Sequence, residues 1–443
     1  MRQAHIGRLV TSVMLFIALG TSVSGQSGQR LKRFLTAPLT IEDQGSFFIG
    51  GVPKVTDYAT VVSPPAPGTA APTTPAPLLP HQITIGQMYV QFEIPVRKYG
   101  GWPVIMVHGS SHTAACLEST PDGREGWYPY FVRRGVPSYI VDQAGRGRSG
   151  FDESVIHEGE AKVAGGDLKT STELIPAFGR ITDDGAWIAW FGHLVPANST
   201  ILTGKLIPHA DPEDPNPTPD AYKHVAPSFP IEAVDARVTS RVGAIGPTPG
   251  GSSGYYALEY YKQLVPNAEV TLPGSTCRTC EPTEISPANT WTPMNLALLV
   301  ERLGGAILVT HSQSGIMGHH MARVLKERGH LDLLKGLITL EGSCSLSNSG
   351  LTAADFDSIP YLALKGDYTA TSMVCQETVN AINARRAQKL GTAKAEYLKL
   401  DEMGILGVTH MMMLDKKNLE IADILYNWIG RNARGSNGRR STQ

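Results

Sequence analysis

Short, continuous apolar runs alternate with segments of helical periodicity through much of this chain. The runs fall at 104–107 (VIMV), 138–142 (SYIVD), 306–310 (AILVT), 337–340 (LITL) and 361–364 (YLAL). A strand covered on both faces has no polar side to show, so it reads as an unbroken apolar string. Helical patterns lie at 127–134, 315–328, 378–390 and 417–428. That alternation predicts an α/β fold with a mostly parallel central sheet and helices on both of its faces. Upstream, SFFIGG (46–51) and the alternating QMYVQFEIP (87–95) predict two more strands. The stretch between them at 63–80 is rich in Pro, Ala and Thr and is expected to form a solvated loop. Loops at the carboxyl ends of the parallel strands are where a site is expected.

Residues 151–290 interrupt the rhythm. An ordinary crossover needs far less chain, and this stretch carries aromatic clusters (Trp187, Trp190, Phe191; Tyr255, Tyr256, Tyr260, Tyr261). It reads as a cap inserted over the active edge of the sheet. The predicted layout is a leader at 1–25, the first half of the core at 26–150, the cap at 151–290, the second half of the core at 291–432 and a flexible tail at 433–443. The leader has two arginines, an apolar run at 9–19 and small residues before a cleavage site after Gly25. These are the marks of a secretory signal, and the run is shorter than the about 20 apolar residues a membrane span needs. The expected location is secreted or periplasmic, with no stable membrane anchor.

Net charge changes the picture little. At −1 it offers no basic excess to attract nucleic acid. Export permits disulfides. Of five cysteines, Cys277 and Cys280 are spaced for a local bridge, and a second pair that a zinc site would want is missing. Cys344 and Cys375 follow neighbouring predicted strands and can also pair. No metal or cofactor site is expected. His319 and His320 are adjacent on a helix, point apart, and read as structural.

The candidate chemistry centres on AILVTHSQSG (306–315). A strand runs into a polar turn and then a helix that starts with small residues. That context projects a nucleophile from a sheet edge toward a helix N-terminus. Ser312 is the expected nucleophile. Ser314 is the competitor, but Ile316 would then occupy a position that needs a small side chain. Serine requires an adjacent base, and His410, in the loop before the last helix, is the candidate. A carboxylate must orient the histidine. Glu341 ends the fourth apolar run and Asp367 follows the fifth; Glu341 is preferred, because a charge at a strand end within apolar sequence is costly unless paired. Two N–H donors must face the developing oxyanion. Gln313 follows the nucleophile, and Ser110 lies in the loop after the first apolar run, behind Gly109. The segment DQAGRGRS (142–149) lacks the Lys-Ser/Thr of a phosphate loop and reads as a structural turn fixed by Asp142.

Together, TPDGREGW (120–127), YIVDQAGRGRSG (139–150), WTPMNLALLVERLG (291–304), LVTHSQSG (308–315) and THMMMLDKKNLEIA (409–422) resemble the α/β-hydrolase superfamily. The closer likeness is to an esterase-like bacterial and fungal subfamily with a Ser-Gln-Ser-Gly elbow. That resemblance implies Ser312, Glu341 and His410 as a triad, with oxyanion donors at Ser110 and Gln313. Asp367 in place of Glu341 would suit the wider superfamily. The implied activity is cleavage of a small-molecule carboxylic ester through an acyl-enzyme, without a cofactor. A lactonase or amidase would use the same triad, and an inactive binding module on this fold is the reading from another class. Oligomeric state is not legible.

Overall fold

The computed structural model describes residues 34–59, 79–166, 260–273, 291–366 and 371–433, with single residues and short stretches between 175 and 229. The leader at 1–25, nearly all of the Pro-rich loop, Cys277, Cys280, Asp367 and the tail from 434 lie outside the described residues.

The strands are β1 (Ile41–Thr56), β2 (His81–Pro95), β3 (Val104–Val107), β4 (Ser138–Asp142), β5 (His193–Val195), β6 (Lys205–Ile207), β7 (Ala306–His311), β8 (Leu334–Leu340), β9 (Tyr361–Lys365) and β10 (Ala395–Lys399). The helices are α1 (Ala115–Glu118), α2 (Trp127–Arg133), α3 (Ser154–Ala164), α4 (Trp291–Arg302), α5 (Ser314–Glu327), α6 (Met373–Ala387) and α7 (Asn418–Asn432). Strands β5 and β6 pair with each other. The other eight form one sheet in the order β1-β2-β4-β3-β7-β8-β9-β10. From β4 to β10 every pairing is parallel. Strand β2 runs antiparallel to both of its neighbours.

The five apolar runs are strands, and the two faces of the sheet explain why they are apolar throughout. Val104, Met106, Ile307, Val309, Ile338 and Leu340 bury one face together with Trp127, Leu425 and Trp428 of α2 and α7. Ile105, Val107, Leu308, Leu337 and Ala363 bury the other with Leu296, Leu299, Met321, Leu325 and Ile382 of α4, α5 and α6. Successive residues point to opposite faces, so a strand covered on both sides takes a polar residue only where it is hydrogen-bonded, as Ser138 Oγ is to the Val136 carbonyl (2.9 Å) and Thr310 Oγ1 to the Ile338 carbonyl (3.0 Å). Strand β10 was not legible in this way. It is an edge strand in which only Ala395 is buried, and Glu396 and Lys399 break the apolar run. Helix α6 begins at Met373, ahead of the predicted 378, where Ser372 caps it by accepting from Cys375 N (3.2 Å); Met373 and Val374 are exposed, so the buried stripe starts later.

Register brings the site together. Val107 of β3 pairs with Thr310 of β7, His311 with Leu340 of β8, and Leu340 with Leu364 of β9. The residues just beyond these strand ends, 108–111, 312–313, 341–342 and 366, therefore share one edge of the sheet.

Cys344 and Cys375 are joined, with Cα atoms 4.9 Å apart and a sequence separation of 31. The bridge ties the turn after β8 to the first turn of α6. Closing a loop of that length restricts the unfolded chain by about 3–4 kcal/mol. The Cys344→Ala/Cys375→Ala double variant is therefore expected to lose stability of that order, read as a lower denaturant midpoint with a steeper slope, because the uncrosslinked unfolded chain exposes more surface. A midpoint equal to that of the oxidised protein would mean that the bridge adds nothing. Cys116, the remaining described cysteine, is free and buried.

Candidate active site

Strand β7 ends at His311 and helix α5 starts at Ser314, so the chain reverses within two residues. Ser312 makes this turn at φ +53°, a region costly for a residue with a Cβ. Its N–H donates to the Leu340 carbonyl across the β8 end (2.9 Å), and its side chain is half-buried. The tightness of the turn depends on glycines placed elsewhere. A Cβ on Gly315 would lie 2.9 Å from Gly342 Cα, and one on Gly342 would lie 2.7 Å from the Ser312 carbonyl oxygen. Gly109 faces the same turn, with its missing Cβ 3.0 Å from Ser312 Cβ. Ser314, which stands where a second elbow glycine is common, is fully buried. Its hydroxyl accepts from His311 N (2.8 Å) and lies within hydrogen-bond reach of the Val107 and His311 carbonyls.

Glu341 follows β8 directly, also at positive φ (+46°). Its side chain has no exposure and divides its two oxygens. Oε1 accepts from the Gly366 N–H at 2.6 Å, and Oε2 accepts from His410 Nδ1 at 2.5 Å. Gly366 is required at that spot because a Cβ there would meet the Val408 carbonyl oxygen at 2.6 Å. With Nδ1 committed to the carboxylate, Nε2 of His410 is the nitrogen left for proton transfer.

The backbone of His410 is held from both sides. Its N–H donates to the Trp190 carbonyl (2.9 Å), and its carbonyl accepts from His311 Nε2 (2.7 Å). The His311 and His410 rings are 4.7 Å apart between centroids. Burial, with the neighbouring His410 charge as the next cause, holds His311 well below the usual histidine range. It stays neutral and serves as a donor through Nε2. The loop around His410 is fixed through buried Asp415, whose carboxylate accepts from Thr409 N and Thr409 Oγ1 (2.7 and 2.8 Å). Arg124 donates to the Asp415 and Leu414 carbonyls (2.8 and 2.9 Å) and to Asn418 Oδ1 (2.9 Å). The TPDGREGW and THMMMLD strings thus meet in space.

The loop after β3 carries Ser110 at the same edge. Ser111 takes φ +55°, and its carbonyl accepts from Val265 N (2.9 Å). His112 is buried between Tyr260, whose hydroxyl donates to Nε2 (2.9 Å), and Trp190, whose ring is 5.1 Å away. Burial pushes His112 down to about 3, so it is neutral and its Nδ1–H donates to the Ser110 carbonyl (2.6 Å). Trp190 also stacks on the His410 ring at 6.2 Å.

The structure therefore brings Ser312, Gln313, Glu341, His410 and Ser110 to one sheet edge, while Asp367 lies outside the described residues. Sequence reasoning missed His311 and Asp415. A signal for Asp415 was present, since it closes a short loop five residues after His410; His311 offered none beyond adjacency to Ser312. Asp142 does fix its turn, accepting from Ala114 N, Arg148 N and the Arg148 guanidinium (2.8–3.0 Å). On α5, His319 has both ring nitrogens engaged, by the Gly315 carbonyl (2.8 Å) and the Tyr361 hydroxyl (3.1 Å), which makes it structural. No described helix is long and apolar enough to cross a membrane.

No family model matches the chain. It is 23% identical to the probable secreted lipase phiG of Fungal sp. (strain ATCC 74256), over 77% of this chain and 85% of that one. Among solved structures, a bacterial esterase known at atomic resolution superposes with a TM-score of 0.61 at 27% identity, covering 90% of this chain and 99% of the esterase. With the sheet order and the edge geometry, these likenesses establish that the chain has the α/β-hydrolase fold and that its relatives are ester-cleaving hydrolases.

Proposed function

We propose that this chain is a secreted serine hydrolase that cleaves a carboxylic ester through an acyl-enzyme. The observation that carries the reading is the Glu341–His410 hydrogen bond of 2.5 Å, formed at the strand end next to the Ser312 turn. In the proposed cycle His410 Nε2 takes the proton of Ser312 as Oγ attacks the ester carbonyl. Glu341 holds the Nδ1–H tautomer and stabilises the imidazolium. The Ser110 and Gln313 N–H groups receive the oxyanion. His410 then protonates the leaving alcohol and activates water to release the acid. The chain's own residues supply every part of this chemistry. The insertion at 151–290 serves as a cap, with Trp190 stacked on the base and Tyr260 against His112. The leader at 1–25 directs export, a reading in keeping with the word "secreted" in the relative's name.

The test is covalent labelling with a fluorophosphonate probe. The expected adduct maps to the peptide containing Ser312, alongside hydrolysis of small activated esters. A folded sample without an adduct would instead favour a binding module. A panel of esters, lactones and amides then identifies the preferred acyl group and leaving group.

A further inference from the structure

Arg146 was read above as part of a structural turn, yet its guanidinium is one of the largest fully buried side chains, 1% exposed. Its Nη1 donates to the Gly109 carbonyl at 3.0 Å, and its Nε donates to Asn267 Oδ1 at 3.1 Å. The Gly109 carbonyl is the far end of the amide whose N–H belongs to Ser110. The same carbonyl also receives a second donor, His108 Nδ1, at 2.9 Å. His108 is locked in that tautomer because its Nε2 accepts from Gln143 N (3.0 Å), while Gln143 Nε2 holds the His108 carbonyl (2.6 Å). Burial, then the Arg146 charge, pushes His108 down to about 4, so the histidine is neutral. The loop is thus already held by His108 and Gln143. The bond from Arg146 adds a full positive charge.

We propose that Arg146 is a positioning residue of the ester-cleaving site, whose buried charge polarises the Gly109–Ser110 amide so that the Ser110 N–H binds the oxyanion more strongly. The inference rests on the serine-hydrolase reading given above. A donor on an amide carbonyl strengthens the N–H at its other end, since hydrogen bonds in a chain polarise one another. In a site of low dielectric a nearby cation also attracts the developing negative charge directly. Burying an arginine costs several kcal/mol unless its surroundings offset it, so a purely mechanical role would be an expensive use of the residue. The counter-charge is a buried carboxylate, Glu269, which burial pushes up to about 7 against the pull of Arg146. Asn267 and Glu269 come from the segment that Ala268 N ties to the Gly145 carbonyl (3.1 Å). A Cβ on Gly145 would sit 2.4 Å from Glu269 N, so this approach depends on the glycine of the DQAGRG turn.

The experiment compares Arg146→Lys and Arg146→Met, each in a Glu269→Gln background so that no buried carboxylate is left without its cation. Wild-type protein must first label at Ser312 with the fluorophosphonate; failure there overturns the serine-hydrolase reading rather than the role of Arg146. The Met variant, folded by calorimetry, is expected to lose roughly tenfold in kcat, below the 10²–10³ of a deleted direct donor, with KM within twofold of wild type. Its affinity for a trifluoromethyl ketone, which adds to Ser312 and generates the oxyanion, should fall by the same factor. Affinity for the corresponding methyl ketone, which stays unadded, should not change. The Lys variant, which keeps the charge, should recover part of both losses. A folded Met variant with kcat within threefold of wild type overturns the proposal. So does a Lys variant no better than Met.

Discussion

Replacing Ser312 by alanine is expected to lower kcat for activated esters by roughly 10⁶-fold, a loss typical of removing the nucleophile from a triad that acts as a unit. In the proposed cycle the hydroxyl forms the bond that defines the transition state and contributes little to holding the substrate beforehand, so KM should change little. The fold should survive. Alanine at φ +53° meets the same backbone restriction that serine already does, and the turn is set by Gly315, Gly342 and the Ser312 N–H bond to Leu340, none of which involves Oγ. Single-turnover measurements at high enzyme concentration will resolve the residual rate. Activity within tenfold of wild type would move the nucleophile elsewhere. Ser314 is not a ready substitute, because its hydroxyl is buried within reach of the His311 amide and the His311 and Val107 carbonyls.

The second large effect concerns the acid. Glu341→Gln is expected to reduce kcat by about 10⁴-fold, the loss seen when a triad histidine is held in the wrong tautomer. The reason lies in the division of labour between the two carboxylate oxygens. Gly366 N–H already donates to one of them at 2.6 Å, so a glutamine must turn its carbonyl oxygen toward Gly366. Its NH₂ then faces His410 Nδ1, which has to accept, and the ring proton moves to Nε2. A histidine protonated there cannot take a proton from Ser312. Asp367→Asn is the companion measurement and should leave kcat within a few fold. If Asp367→Asn collapses kcat and Glu341→Gln does not, the acid belongs to the β9 loop, and the bond between Glu341 and His410 is structural.

The parts of this molecule that could be read from sequence are those whose pattern is forced by two-sided burial. Strands β3 and β4 match their predicted runs to the residue, since helices cover both faces and the two polar residues of β4, Ser138 and Asp142, stand at its ends. Ser312 was readable because a strand, a turn and a helix follow one another without interruption. Glu341 was readable because a carboxylate at the end of an apolar strand demands a partner. What stayed hidden depends on contacts between distant segments. Strand β10 earns its place by pairing with β9 at an edge that leaves most of its side chains half-exposed. His311 bonds to the His410 carbonyl across 99 residues of sequence, and Arg146 meets Asn267 across 121. No local periodicity records such meetings. Trp190 was named only as a member of an aromatic cluster, and its backbone contact to His410 has no sequence signature at all.

Ser111, Ser312 and Glu341 all hold backbone angles that glycine would adopt without steric strain, and they follow the ends of the neighbouring strands β3, β7 and β8. Each such residue carries a penalty of order 1–3 kcal/mol. Selection for thermal tolerance alone would therefore drift toward glycine at these three positions, and at Ser312 and Glu341 the gain would remove the side chains that the proposed chemistry uses. Programmes that stabilise this enzyme by matching residue to backbone preference should hold these positions fixed and look for gains elsewhere.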